Sequence, residues 1–194
     1  MYVYCEKRGC VYMKHQLKIF LLIICTLLLT LVSCDQNTSS LEIFGDVVIE
    51  TKEGFRFLDL DWMTDLEKIK EELPDAVYTD ELDRLEVHEE LEGEERVTFY
   101  IFHENQFVSG EYIIVLKDKS DYESYISDIK AQAESYFAEH PPMSNTLNDL
   151  SDNQSVTWEG EDKSYFRIRP YVDEDRYSIT YKVSAPQSLP KELK

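Results

Sequence analysis

Carboxylates dominate the chemically active side chains of this sequence. Asp and Glu number 39 against 20 Lys and Arg, with only four His and four Cys in 194 residues. Oxygen ligands suit hard cations such as Ca²⁺, and paired carboxylates can act as general acid and base. The tightest cluster is Asp59-x-Asp61-x-x-x-Asp65, at the expected start of a helix. It lacks the glycine and the terminal bidentate glutamate of an EF-hand loop. Asp149, Asp152 and Asn153, and the run Asp173-Glu174-Asp175, are looser clusters. Each reads better as a solvated acidic turn or a helix cap than as a metal site. Asp59, Asp61 and Asp65 are therefore weak metal candidates, and no cofactor is expected.

Nucleophilic catalysis needs Ser or Cys beside a base. No G-x-S-x-G occurs, and Ser109-Gly110 falls inside a strand pattern. His88, His103 and His140 have no paired spacing and form no H-E-x-x-H. The cysteines are Cys5, Cys10, Cys25 and Cys34, so nothing after Cys34 can form a disulfide or a cysteine zinc site. The residues point away from an enzyme. A hydrolase using two carboxylates on glycans, and a divalent-cation sensor, are the alternatives. The acidity offers no basic stripe for phosphates, which argues against nucleic acid.

Cys34 closes a distinctive segment. Ile19 to Val32 is apolar apart from Thr26 and Thr30, and Lys14, His15 and Lys18 precede it. As a helix it would cover about 21 Å, less than the ~30 Å hydrocarbon core. A basic flank, a short apolar run and a polar exit make a signal peptide rather than a span. The exit, Leu31-Val32-Ser33-Cys34, resembles the lipobox of bacterial lipoproteins. That resemblance covers residues 13–34. It implies cleavage between Ser33 and Cys34, a diacylglycerol thioether on Cys34, and residence on the extracytoplasmic face of the cell membrane. The alternative is an uncleaved signal anchor. Residues 1–12 are an odd preface, and Met13 is itself a suitable start.

Removing residues 1–33 takes away Lys7, Arg8, Lys14, Lys18 and Glu6, leaving 16 basic side chains against 38 acidic ones. Anionic lipid repels such a domain, so acyl chains rather than surface charge would hold it to the bilayer. A basic envelope protein suits it as a partner.

Behind these residues lie the elements that must position them. Residues 34–40 read as a lipidated tether, 41–186 as a single α+β domain and 187–194 as a loose tail. The stretch from Leu41 to Trp62 looks like one or two strands turning at Lys52-Glu53-Gly54. Thr64 with Glu67, and Ser120 with Glu123, form the spacing of two capping boxes. The first opens a helix ending at Pro74; the second opens one carrying Tyr122, Tyr125, Ile126, Ile129, Ala133, Tyr136 and Phe137 on one face. Strands are expected at Leu82–Leu91, Arg96–His103, Gln106–Leu116, Ser155–Gly160, Ser164–Val172 and Arg176–Ala185. Val97, Phe99 and Ile101 show the alternation of a half-buried strand.

The order helix-strand-strand-strand occurs twice. It predicts an antiparallel sheet with two helices on one face, with a possible αβββ duplication. The layout is similar to that of small secreted bacterial inhibitor domains such as the β-lactamase inhibitory proteins. The resemblance covers no motif and carries no function. Trp62, Trp158, Tyr100, Tyr112, Tyr165, Tyr171 and Tyr181 either fill a disulfide-free core or offer a binding surface for a protein or glycan.

Overall fold

The computed structural model describes residues 43–91, 93–151 and 153–186. The signal segment, Ser33, Cys34, the tether, the tail and Asp152 lie outside the described residues. No described helix is long and apolar enough to cross a membrane.

The described chain is α+β with antiparallel sheets. An irregular turn at Ile43–Val47 leads into β1 (Val48–Glu50), which pairs with β2 (Phe55–Phe57) in a two-stranded ribbon. Helix α1 (Leu66–Glu72), β3 (Val77–Thr79) and a 3-10 turn (Asp80–Leu82) follow. Next come β4 (Arg84–Leu91), β5 (Glu94–His103), β6 (Gln106–Leu116) and helix α2 (Lys119–Tyr136). After a 3-10 turn at Leu147–Asp149, the chain ends in β7 (Val156–Glu159), β8 (Tyr165–Asp173) and β9 (Arg176–Ser184). The second sheet has seven strands in the order β3-β4-β5-β6-β9-β8-β7, and each neighbouring pair is antiparallel.

Both helices start one or two residues away from the expected caps. Asp65, not Thr64, is the N-cap of α1, its carboxylate accepting from the Glu67 amide at 2.9 Å. Thr64 instead donates to the Asp61 carbonyl at 2.7 Å. Asp118 caps α2 by accepting from the amides of Ser120 and Asp121. A carboxylate at the cap also faces the positive end of the helix dipole, which favours Asp over a neighbouring hydroxyl. Strand β4 starts at Arg84 rather than Leu82, because Leu82 lies in the 3-10 turn and Asp83 turns left-handed at φ 47°. The other strand ends shift by one or two residues.

The core lies on one face of the seven-stranded sheet. Trp158, Phe166, Ile168, Tyr181, Val183, Tyr112 and Ile114 supply it from the strands, joined by Phe57, Leu66, Ile69, Tyr122, Ile129, Ala133 and Phe137. Trp158, Phe166 and Phe137 stack at ring separations of 4.8–5.5 Å. Each large apolar side chain buried this way contributes roughly 1.5–3 kcal/mol, which is how a domain with no cysteine after Cys34 can hold together. Helix α2 packs on β6 and β9, and β2 on β9. Phe57 reaches the sheet at Gly110, where any Cβ would fall 2.0 Å from its ring.

Strand β5 is apolar on both faces: Val97, Phe99 and Ile101 share one, Val97 buried and the other two half-buried, while Tyr100 and Phe102 on the opposite face join the main core cluster.

Candidate functional site: the open face of the sheet

Register and alternation define this face row by row. One row runs Glu86, Phe99, Glu111, Lys182, Arg167 and Thr157 from β4 to β7. The next is His88, Val97, Ile113, Thr180 and Arg169. A further row holds Glu90, Glu95, Val115, Ser178 and Tyr171. On the other side of the first lies Arg84, Ile101, Ser109, Ser184, Tyr165 and Glu159.

Its centre is apolar. Val97, Phe99, Ile101, Ile113 and Val115 sit side by side on β5 and β6, outside the core cluster. Val97 is only 7% exposed and the others are half-buried. Arg84 places its guanidinium 4.2 Å from the centre of the Phe99 ring. Tyr171, 41% exposed, and Val77, 61% exposed, extend the apolar surface toward the two edges.

Charge is divided across the same face. Glu86, Glu90 and Glu95 gather with His88 on β4 and β5, with His88 lying 3.6 Å from Glu86 and 3.8 Å from Glu95. Arg167 and Arg169 are exposed on β8, and Lys182 pairs with Glu111 at 2.6 Å between the two sides. Arg167 Nε donates to Thr157 Oγ1 at 3.2 Å. Although acids outnumber bases about two to one in the chain, on this face Glu86, Glu90, Glu95, Glu111 and Glu159 are nearly matched by Arg84, Arg167, Arg169 and Lys182.

Desolvation works to raise the Glu86 carboxyl, but Arg84, at 2.7 Å, with His88 and Thr79 outweighs it and holds the group below its ordinary value. At the other side, desolvation and the Glu159 carboxylate push the Tyr165 phenol up, while Lys163 helps to hold Glu159 down. Tyr165, Arg167, Lys182, Ser184 and Ala185 border a shallow, open depression of about 340 Å³.

Asp61, Asp65 and Asp149, among the carboxylates singled out in the sequence, have structural employment. Asp61 pairs with Arg56, Asp65 caps α1, and Asp59 sits in a left-handed turn at φ 55°. Asp149 closes a capping box with Thr146, and Asn153 exchanges hydrogen bonds with the Val172 backbone at 3.1 and 3.4 Å. Among the described residues no three His, Cys, Asp or Glu side chains gather to hold a metal ion. His140 pairs with Glu50, far from His88 and His103 in the chain.

The aromatic residues divide between core and surface. Trp158, Tyr100, Tyr112 and Tyr181 are core residues, and Trp62 stacks on Phe107 at 5.4 Å. Tyr165 and Tyr171 lie on the open face. Sequence reasoning passed over Phe99, Ile113, Arg167, Arg169 and Lys182 as site residues. The signal for them was present: apolar residues alternate on both faces of β5 and β6, and basic residues alternate in β8. No family model matches the chain, nor does any curated protein or solved structure.

Proposed function

We propose that this chain is a lipid-anchored, extracytoplasmic, non-catalytic domain that docks an envelope protein through the open face of its seven-stranded sheet. The observation that carries the docking reading is the apolar patch of Phe99, Ile101, Ile113 and Val115, half-buried around the buried Val97, which lies outside the main core cluster and is rimmed by both signs of charge. Contiguous apolar surface with a polar rim is how protein-binding surfaces are built. The seven strands, about 4.8 Å apart and together 54 residues long at about 3.3 Å each, present roughly 850 Å² in outline, comparable with the ~800 Å² per partner of a standard interface. The divided charge narrows the expected partner: it carries both signs, in the reverse order, rather than a uniformly basic surface.

The anchoring part rests on Leu31-Val32-Ser33-Cys34. Two acyl chains give stable attachment where one would not. Two αβββ units, with both helices on the core face, are a reading supported by the mirrored order β4-β5-β6 against β9-β8-β7 and by Leu66, Ile69, Ile129 and Ala133 sharing one core. That arrangement leaves the opposite face for recognition.

The test has two arms, each run in intact bacterial cells. Metabolic labelling with an alkyne fatty acid should mark the chain, and Cys34→Ser should abolish the label; persistence of the label removes the lipobox reading. A photo-crosslinking residue in place of Ile113 should give discrete adducts with envelope protein, while the same residue in place of Ser135, on the exposed side of α2, should not. Equal or absent crosslinking at the two positions counts against docking through this face.

A further inference from the structure

The layout of the open face constrains its occupant. A net acidic side on β4 and β5, where Glu86, Glu90 and Glu95 outnumber Arg84, an apolar centre on β5 and β6, and a net basic side on β9 and β8, where Arg167 and Arg169 stand beside the Lys182–Glu111 pair, form a surface with polarity across the strands. We infer that the occupant is a second copy of this chain, an inference that rests on the docking reading above.

A two-fold axis is the ordinary symmetry of paired identical chains, and it makes one patch serve both sides. Two in-plane axes are available for sheets packed face to face. An axis across the strands lays β4 on β4 and, placed over the His88 row, sets Glu86 of one copy against Glu90 of the other. An axis parallel to the strands reverses the strand order. Placed over β5 and β6, it brings Val97 of one copy to the Ile113 row of the other. It also brings Glu86 over Lys182, because these two share a cross-strand row. The same operation lays the acidic β4 of each copy toward the basic β9–β8 side of the other, twice. Face-to-face sheets settle at about −30° with ~10 Å between them, so the matching is by row rather than atom by atom.

Two processed chains, each with 16 basic against 38 acidic side chains, repel each other at long range. At physiological ionic strength charges beyond ~8 Å are largely screened, so the face itself decides the encounter. That face is close to neutral, whereas the rest of the chain is strongly acidic. A partner of simple basic charge would be repelled by Arg167 and Arg169; a second copy supplies the reversed polarity without further assumption.

The test uses the full chain. Two copies with different C-terminal epitope tags are expressed together, extracted in mild detergent, and one tag is captured while the other is measured. Wild-type copies should co-purify. Glu86→Lys with Glu90→Lys in both copies should reduce co-purification at least tenfold, as should Lys182→Glu with Arg169→Glu in both. Pairing the acid-reversed copy with the base-reversed copy should restore it. Restoration also guards against misfolding, since an unfolded copy cannot be rescued by a complementary one. Failure of wild-type copies to co-purify overturns the inference, as does co-purification indifferent to all these reversals. If copies fail to pair while Ile113 still crosslinks in cells to a different protein, docking survives and only the second copy falls. If Ile113 gives no adduct either, both readings fall.

Discussion

Phe57 lies directly against Gly110: a Cβ on that glycine would stand 2.0 Å from Phe57 Cδ1. Phe57 is fully buried, and its strand β2 reaches the seven-stranded sheet over this gap. Gly110→Val should therefore be strongly destabilising, by about 3 kcal/mol, since the ring has nowhere to move without opening the core. Urea unfolding followed by tryptophan fluorescence checks this; a midpoint equal to wild type would show that β2 does not dock there.

Ser164 holds a second junction, between the β1–β2 and β7–β8 turns. Its Oγ accepts from the Phe55 amide at 2.7 Å, and the residue has no exposed surface. Ser164→Ala leaves that buried amide without its acceptor and should cost about 1–3 kcal/mol. Ser164→Thr tests geometry rather than chemistry, because it keeps the hydroxyl. Equal melting temperatures for Ser164→Ala and wild type would contradict the assignment.

Glu86 links the open face to pH. Its folded-state value lies below the ordinary 4.5, so the stability it contributes is present above that value and is lost as pH falls through the lower, folded one. Glu86→Gln cannot titrate. Its melting temperature should decline less steeply than that of wild type below pH 4.5, while the wild type holds the advantage near neutrality. Parallel declines over the whole acid range would show that the Arg84 contact does not bind the carboxylate in the folded state.

Much of the fold was legible in the sequence because long strands and an amphipathic helix carry strong periodicity. The turn at Glu104-Asn105 is an example: both residues take left-handed φ, at 51° and 65°, as a tight hairpin requires. Strand β3 was not legible, because three residues, Val77–Thr79, are too few to show a period. The caps slipped because hydroxyls and carboxylates compete locally, and the Asp61 carbonyl settles the contest at Thr64 by taking its hydroxyl. The candidate site was hidden for a different reason. Alternation says that a strand has two faces, but the packing of α2 and β2 decides which is covered. On β5 that choice placed Tyr100 inside and left Phe99 and Ile101 on the open face.

The central claim is that the open face is occupied in the cell. The chain has no cysteine after Cys34, so Thr180→Cys places a thiol beside the apolar centre of that face, across from Ile113, and Ser135→Cys places one on the exposed side of α2. A membrane-impermeant maleimide would be applied to cells with an accessible envelope and to extracted, diluted protein. Thr180→Cys, measured relative to Ser135→Cys, should label at least fivefold more slowly in cells than after extraction and dilution. The same ratio in both settings would mean that nothing covers the face, and would contradict the account.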